Sequence, residues 1–190
     1  MPTVLRAKCL IVGDSTVGKS AITQVFHSDG THFPKTYSMT TNIELVTKPV
    51  QIPESHDQVE MFLFDNAGKE VFCDQVMKHW SNPSLLMLVY DVTSETSFSS
   101  CSKWLSRVQS IKSHGTVPGV LVANKVDLTE RRIISTKEGE EFANNNKLDY
   151  FEVSAKSMEN VEQPFIHLCK RYYELYREKI EHFENLGCSV

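Results

Sequence analysis

Residues 13–20 read GDSTVGKS, set between the apolar run Lys8–Val12 and a stretch of helical period over Ser20–His27. A GxxxxGK[ST] string in that position constrains the fold more than any other feature of the chain. It requires a strand that stops abruptly, a loop whose amides turn inward, and a helix that begins at once. Gly13 and Gly18 let the backbone curl, while Asp14, Ser15, Thr16 and Val17 supply successive N–H groups between them. The first helical turn, Lys19 to Ala21, adds its partial positive charge. Such a nest suits a chain of phosphates. Lys19 would reach the β and γ phosphates, and the Ser20 hydroxyl would bind Mg²⁺.

The rest of the chain repeats the same alternation. Short apolar runs (KCLIV, MFLFD, LLMLVYD, GVLVAN, DYFEV) alternate with longer stretches of helical period, which predicts βα units around a largely parallel sheet, an α/β fold. SFSSCSKWLSRVQSI puts Phe98, Cys101, Leu105, Val108 and Ile111 on one helical face, and TKEGEEFANNNK reads as a polar surface helix. NIELVTKPV, QIPESHDQ and VEMFLFD break the pattern: two strands and a proline-containing loop predict an antiparallel hairpin, so the sheet is mixed. The final helix is predicted to start at Asn160 as N-cap, with Pro164 in its first turn, and to run to Leu186. At 190 residues the chain fits one compact unit, with residues 1–175 as the domain and 176–190 as a helical extension and short tail.

Bulk composition excludes several classes. The formal charge of −4, from 24 acidic and 20 basic residues, is spread without a single-sign block, which argues against nucleic acid as a partner. Five cysteines and seven histidines form no CxxC, HExxH or mixed cluster, so neither a zinc site nor a disulfide framework is predicted. The cysteines read as small apolar side chains in a reducing compartment. No run has the length of a signal-peptide core or a membrane span, and Pro2 excludes an N-myristoyl glycine.

Three further strings fall at strand ends. Asp65 closes a strand and opens DNAGKE, where its carboxylate can serve Mg²⁺ and Gly68 lets an amide approach the terminal phosphate. NKVD at 124–127 follows GVLVAN. A carboxylate at Asp127 accepts two hydrogen bonds from a partner with two adjacent donors, which guanine presents and adenine does not. Asn124 and Lys125 would position that loop and cover the base. In SAK at 154–156, the Ala155 amide can donate to the guanine carbonyl, Ser154 braces the turn and Lys156 follows. A P-loop kinase would share GDSTVGKS but leaves NKVD and SAK without a role.

With these motifs in order, the chain resembles the Ras-like small GTPases over about residues 5–175, and YDVTSETSFSSCSKWL is similar to the Rab branch. The resemblance implies the P-loop NTPase fold of that family, the G domain: a six-stranded, mostly parallel sheet with five helices, to which this sequence adds an extended C-terminal helix. It also implies GTP or GDP with Mg²⁺, and two loops ordered by the γ-phosphate. YSMTTNIEL resembles the segment that gives a threonine to Mg²⁺; alignment favours Thr40, with its neighbour Thr41 as substitute. SDGTHF, DNAGKE, CSKWL and LYREK are similar to the Rab-like GTPases of the intraflagellar transport B complex. That likeness implies a heterodimer with a small β-sandwich subunit, contacts with other subunits of that complex, and a place in the cytoplasm, cilium or flagellum and basal body.

Three departures from the family follow. Lys69 stands where the family carries the glutamine that orients the attacking water. An ammonium has donors but no acceptor, so slow GTP hydrolysis is expected from the catalytic group Lys19, Gly68 and Lys69, although the charge of Lys69 could instead help neutralise the transition state. The ending GCSV lacks the paired or fourth-from-last cysteine that takes a prenyl group; no stable membrane anchor is expected, against a vesicle-tethering Rab. Beyond Leu175 the apolar stripe Tyr176, Ile180 and Phe183, with Leu186 close by, continues at helical spacing and is read as a partner-binding face. A scaffold subunit whose nucleotide is structural is the competing reading.

Overall fold

The computed structural model describes residues 2–53, 55–111 and 117–185. Six strands, β1 (Val4–Val12), β2 (Ile43–Gln51), β3 (Gln58–Asn66), β4 (Leu85–Asp91), β5 (Gly119–Asn124) and β6 (Asp149–Val153), form one sheet in the order β2-β3-β1-β4-β5-β6. Only β2 and β3 run antiparallel; the other pairs are parallel. β4 and β5 are buried along their whole length, which is why they read as unbroken apolar runs. β2 is an edge strand, and Pro49 is tolerated in it for that reason, opposite Glu60.

The helices are α1 (Lys19–His27), α2 (Cys73–Met77), α3 (Glu95–Ser99), α4 (Cys101–Ile111), α5 (Thr136–Asn145) and α6 (Gln163–Asn185). They cover both faces of the sheet. On one face Ile22, Val25 and Phe26 of α1 and Phe165, Leu168 and Cys169 of α6 pack over Cys9, Ile11, Met61 and Val89. The Phe26 and Phe165 rings stack there with centroids 3.8 Å apart. On the other face Val76, Trp80, Cys101, Trp104, Val108 and Ala143 pack over Leu10, Leu88, Tyr90 and Leu121.

The helix expected over 97–111 carries its buried face as read, with Cys101, Leu105 and Val108 inside and Phe98 and Ile111 packed at the margin. It divides at Ser100 into α3 and α4, although Ser100 keeps right-handed backbone angles. With that division and the short α2, the described residues hold six α-helices where the family resemblance implies five. α5 is fixed at its start by a capping box: Ser135 accepts from the Glu138 amide, and Glu138 accepts from the Ser135 amide.

α6 does not begin at Asn160. That residue sits in left-handed backbone at φ 56, because a bridge between Ser154 and Glu159 closes a tight turn just before it. Glu162 accepts from the amide of Ile166 at 3.0 Å and so caps the helix, with Pro164 as its second residue, where no intrahelical donor is needed. Further along, the Tyr172 hydroxyl donates to the Arg6 carbonyl at 3.0 Å and that of Tyr173 to Asp57 Oδ2 at 2.6 Å. These bonds pin the helix to the sheet; the predicted end at Leu186 lies outside the described residues, as does Cys188. Cys9, Cys73, Cys101 and Cys169 are buried free thiols, and burial pushes each thiol's pKa up, as fits packing rather than reactivity. No helix among the described residues is long and apolar enough to cross a membrane.

Candidate functional site

Strand register brings the motifs to one edge. Ile11 lies opposite Asp65, Asp91 opposite Asn124, and Asn124 opposite Val153, so the loops leaving β1, β3, β5 and β6 open side by side. A crevice beyond the C-terminal strand ends is where open α/β sheets bind ligands. Here it is a cleft of about 450 Å³ that runs from Gly68 and Lys19 at one end to Asp127 and Lys156 at the other.

At the first end, residues 13–18 wrap the start of α1. Gly18 holds φ 102, and a Cβ there would stand 2.2 Å from Asn124 Nδ2. Gly68 is constrained by approach: its added Cβ would meet the Asp14 carbonyl carbon at 2.4 Å and Lys19 Nζ at 2.5 Å. Lys19, buried at 6% exposure, donates to the Gly13 and Asp14 carbonyls at 2.9 and 2.8 Å. Burial pushes its ammonium down to about 8, with Asp65 and Asp14 pulling the other way. Among the described residues the buried Lys19 ammonium hydrogen-bonds to neutral carbonyls, with Asp65 and Asp14 near it but not bonded to it; an anion would complete such an arrangement.

Beside it, Ser20 Oγ lies 3.1 Å from Thr40 Oγ1, while Thr41 is exposed. Asp65 is 1% exposed and its Oδ1 has no hydrogen-bond partner. Burial pushes its carboxyl up to about 6, against the Ser20 hydroxyl and the Lys19 ammonium. Two hydroxyls and an orphaned carboxylate oxygen form a hard, all-oxygen donor set. Such a set fits Mg²⁺, which takes few protein ligands beside phosphates and water. Among the described residues no cluster of three or more His, Cys, Asp or Glu could hold a softer ion.

At the second end, Asn124 joins three segments. Its Nδ2 donates to the Val17 carbonyl at 2.7 Å, and its Oδ1 accepts from the Ala155 amide at 3.2 Å. The amide read from sequence as a donor to a base is thus held by Asn124 in this structure. Ser154 donates to Asp127 Oδ1 at 2.6 Å and accepts from the Ser157 amide, which fixes the carboxylate. Lys125, at φ 69, pairs with Asp91 Oδ2 at 2.6 Å. Burial pulls the Asp91 carboxyl upward, yet Lys125 and Thr93 hold it below the usual carboxylate range.

Ser15, Thr16, Gly18, Lys19, Ser20 and Ala21 line the cleft with Thr40, Gly68, Asn124, Lys125, Asp127, Ala155 and Lys156. Gly13, Asp65 and Ser154 do not line it, and Asp14 and Val17 line a neighbouring hollow. Lys69 is exposed and borders that hollow instead. Tyr176, Ile180 and Phe183 are elsewhere, on α6. Sequence reasoning missed Phe33, an aromatic wall of the cleft, and Asp91, which orients Lys125. Asp91 carried a signal, since it ends an apolar strand much as Asp65 stands next to the end of β3. Trp104, which donates to Asp14 Oδ1 at 2.7 Å, carried none.

Comparison with known proteins agrees with this geometry. Residues 8–174 match the model of the Ras family. The chain is 50% identical over 182 residues to the intraflagellar transport protein 27 homolog of Bos taurus, covering 96% of this chain and 98% of that protein. It is 37% identical over 185 residues to intraflagellar transport protein 27 of Chlamydomonas reinhardtii, covering 95% and 91%. It is also 34% identical over 164 residues to the human Ras-related protein Rab-30, covering 86% and 78%. A family match that spans nearly the whole sheet, together with relatives of this similarity, means that the chain belongs to the Ras family.

Proposed function

We propose that this protein binds GTP and GDP with Mg²⁺, hydrolyses GTP slowly, and works as a Rab-like subunit of the intraflagellar transport B complex in ciliary transport and cargo export. The observation that carries the nucleotide reading is the single cleft with a buried, carbonyl-held Lys19 at one end and a braced Asp127 at the other. Asp127 selects guanine through the base's two adjacent donors. Ser20, Thr40 and Asp65 would hold the Mg²⁺, which when bound neutralises charge on the phosphate oxygens. Lys19 and the amides of residues 13–18 hold the phosphate chain, and Gly68 allows backbone to approach its end. At position 69 a lysine offers no acceptor for a proton of the attacking water, so the step is slow.

The test is titration of the purified protein with labelled GTP, GDP and ATP in magnesium buffer. Saturable uptake with a strong preference for guanine is expected; no uptake, or no preference over ATP, overturns the reading.

The transport role is supported by the relatives named intraflagellar transport protein 27. The partner face proposed for the β-sandwich subunit is the outer part of α6, where Phe183 is 49% exposed and Tyr176 and Ile180 are half-buried. Ile180→Glu with Phe183→Glu is expected to abolish capture of that subunit while guanine nucleotide binding survives. One observation favours a scaffold with a structural nucleotide: this face shares no residue with the cleft. Equal partner affinity of the GTP-loaded and GDP-loaded forms would establish that second reading.

A further inference from the structure

α4 carries three side chains, Lys103, Trp104 and Arg107, on one helical face. They reach both loops that flank the Lys19 end of the cleft. Trp104, 2% exposed, donates its indole N–H to Asp14 Oδ1 of the phosphate loop. Arg107, one turn on, lies over the Trp104 ring 5.2 Å from its centroid and grips both carboxylate oxygens of Glu70. Lys103 adds its ammonium to the same carboxylate at 2.9 Å. Arg107, then Lys103, hold the Glu70 carboxyl down at about 2. A lone exposed ion pair would mean little. Here the pairing is two-pronged, and Arg107 is only 18% exposed because it rests on a buried ring.

The constraint falls on the residue before Glu70. Across Gly68 from the cleft lies a second hollow of about 360 Å³, and Ser15, Thr16 and Gly68 border both spaces. Lys69 lines this hollow and not the cleft, with Asp14 and Glu70 beside it.

We propose that Arg107 and Lys103 are positioning residues for the hydrolytic step: by anchoring Glu70 they keep the side chain at position 69 in the flanking hollow, and Trp104 ties that anchor to the phosphate loop. The proposal rests on the reading of the cleft as a GTP site. It divides slow hydrolysis into two causes. One is the chemistry of an ammonium at position 69; the other is the location in which that position is held. Replacing the side chain alone removes only the first.

The test is single-turnover GTP hydrolysis by the full-length protein with Mg²⁺. It compares the parent, Lys69→Gln, and Lys69→Gln combined in turn with Glu70→Gln, Arg107→Ala or Arg107→Lys. Because small misplacements of a reacting group carry large rate penalties, Glu70→Gln and Arg107→Ala should each raise the Lys69→Gln rate by about three- to tenfold. Arg107→Lys, which keeps a cation but loses the two-pronged grip and the stacking on Trp104, should raise the rate less than Arg107→Ala does. GDP dissociation should match the parent's throughout. A rate unmoved or lowered, with GDP dissociation unchanged, overturns the proposal. So does a rise that comes with faster GDP dissociation, which would mark general loosening of the site. Glu70 is exposed, so its variant decides the question even where Arg107→Ala does not fold. A parent that retains no guanine nucleotide is a separate result, and overturns the reading of the cleft instead.

Discussion

Among the described residues the Asp127 carboxylate accepts one hydrogen bond, from Ser154 at 2.6 Å, which orients it before any ligand arrives. Removing an ionised partner of two hydrogen bonds costs about 3 kcal/mol or more, or roughly 100-fold in affinity. Asp127→Ala should therefore weaken GTP and GDP binding by about that factor and leave the unfolding midpoint nearly unchanged, as calorimetric titration would measure. Asp65 makes a prediction about pH. Its carboxyl is pushed up to about 6 by burial, so protons compete with a metal in the range where an ordinary aspartate would not. The sign follows directly: the metal takes the ionised form, so Mg²⁺ affinity holds above pH 6 and falls by up to about tenfold per unit below it. Equilibrium dialysis with Mg²⁺ and GDP between pH 7 and 5 measures this, and a flat profile would contradict it. At Lys69, replacement by Gln supplies the missing acceptor. Single-turnover hydrolysis should rise, and an unchanged or lower rate would refute the account of that lysine.

Among the elements, α1 and α6 meet through the stacked Phe26 and Phe165. Phe165→Ala should cost about 3–5 kcal/mol of unfolding free energy, read by denaturant titration. In α5 the limiting residue is Gly139, whose added Cβ would stand 2.5 Å from Tyr150 Cε2 and 2.7 Å from the Tyr90 hydroxyl. Gly139→Ala should be destabilising by about 1–3 kcal/mol, despite alanine's better helix propensity. β4 and β5 were readable to the residue because burial writes itself as an apolar run between turn signals; β6, buried only at Val153, was readable from its aromatic and β-branched residues. The four loops were readable because each chemistry demands its residues within a few positions. What escaped depends on distant partners. Trp104 meets Asp14 across 90 positions, and nothing local to CSKWL marks that bond. Lys125 finds Asp91 only because β4 and β5 are neighbours in register. The displaced start of α6 escaped for a different reason: Asn160 is a good cap, but the bridge at Ser154 and Glu159 had already set its backbone.

For the molecule as a whole, the sheet divides the work. Its C-terminal edge holds the cleft, while the outer part of α6 presents a separate apolar face. The two are joined by a helix that Tyr172 and Tyr173 fasten to β1 and to the loop before β3. A substitution on the outer helix should therefore alter assembly and leave nucleotide affinity intact. Both tryptophans of the chain lie within the machinery that surrounds the cleft: Trp104 bonded to Asp14, Trp80 to Asn66, with their rings 6.4 Å apart. One indole bonds Asp14, in the loop after β1, and the other bonds Asn66, the last residue of β3 and the neighbour of Asp65. The protein thus carries a built-in optical reporter: its ultraviolet emission should change in intensity or colour as its ligand is exchanged, so occupancy can be followed in real time without attaching a dye.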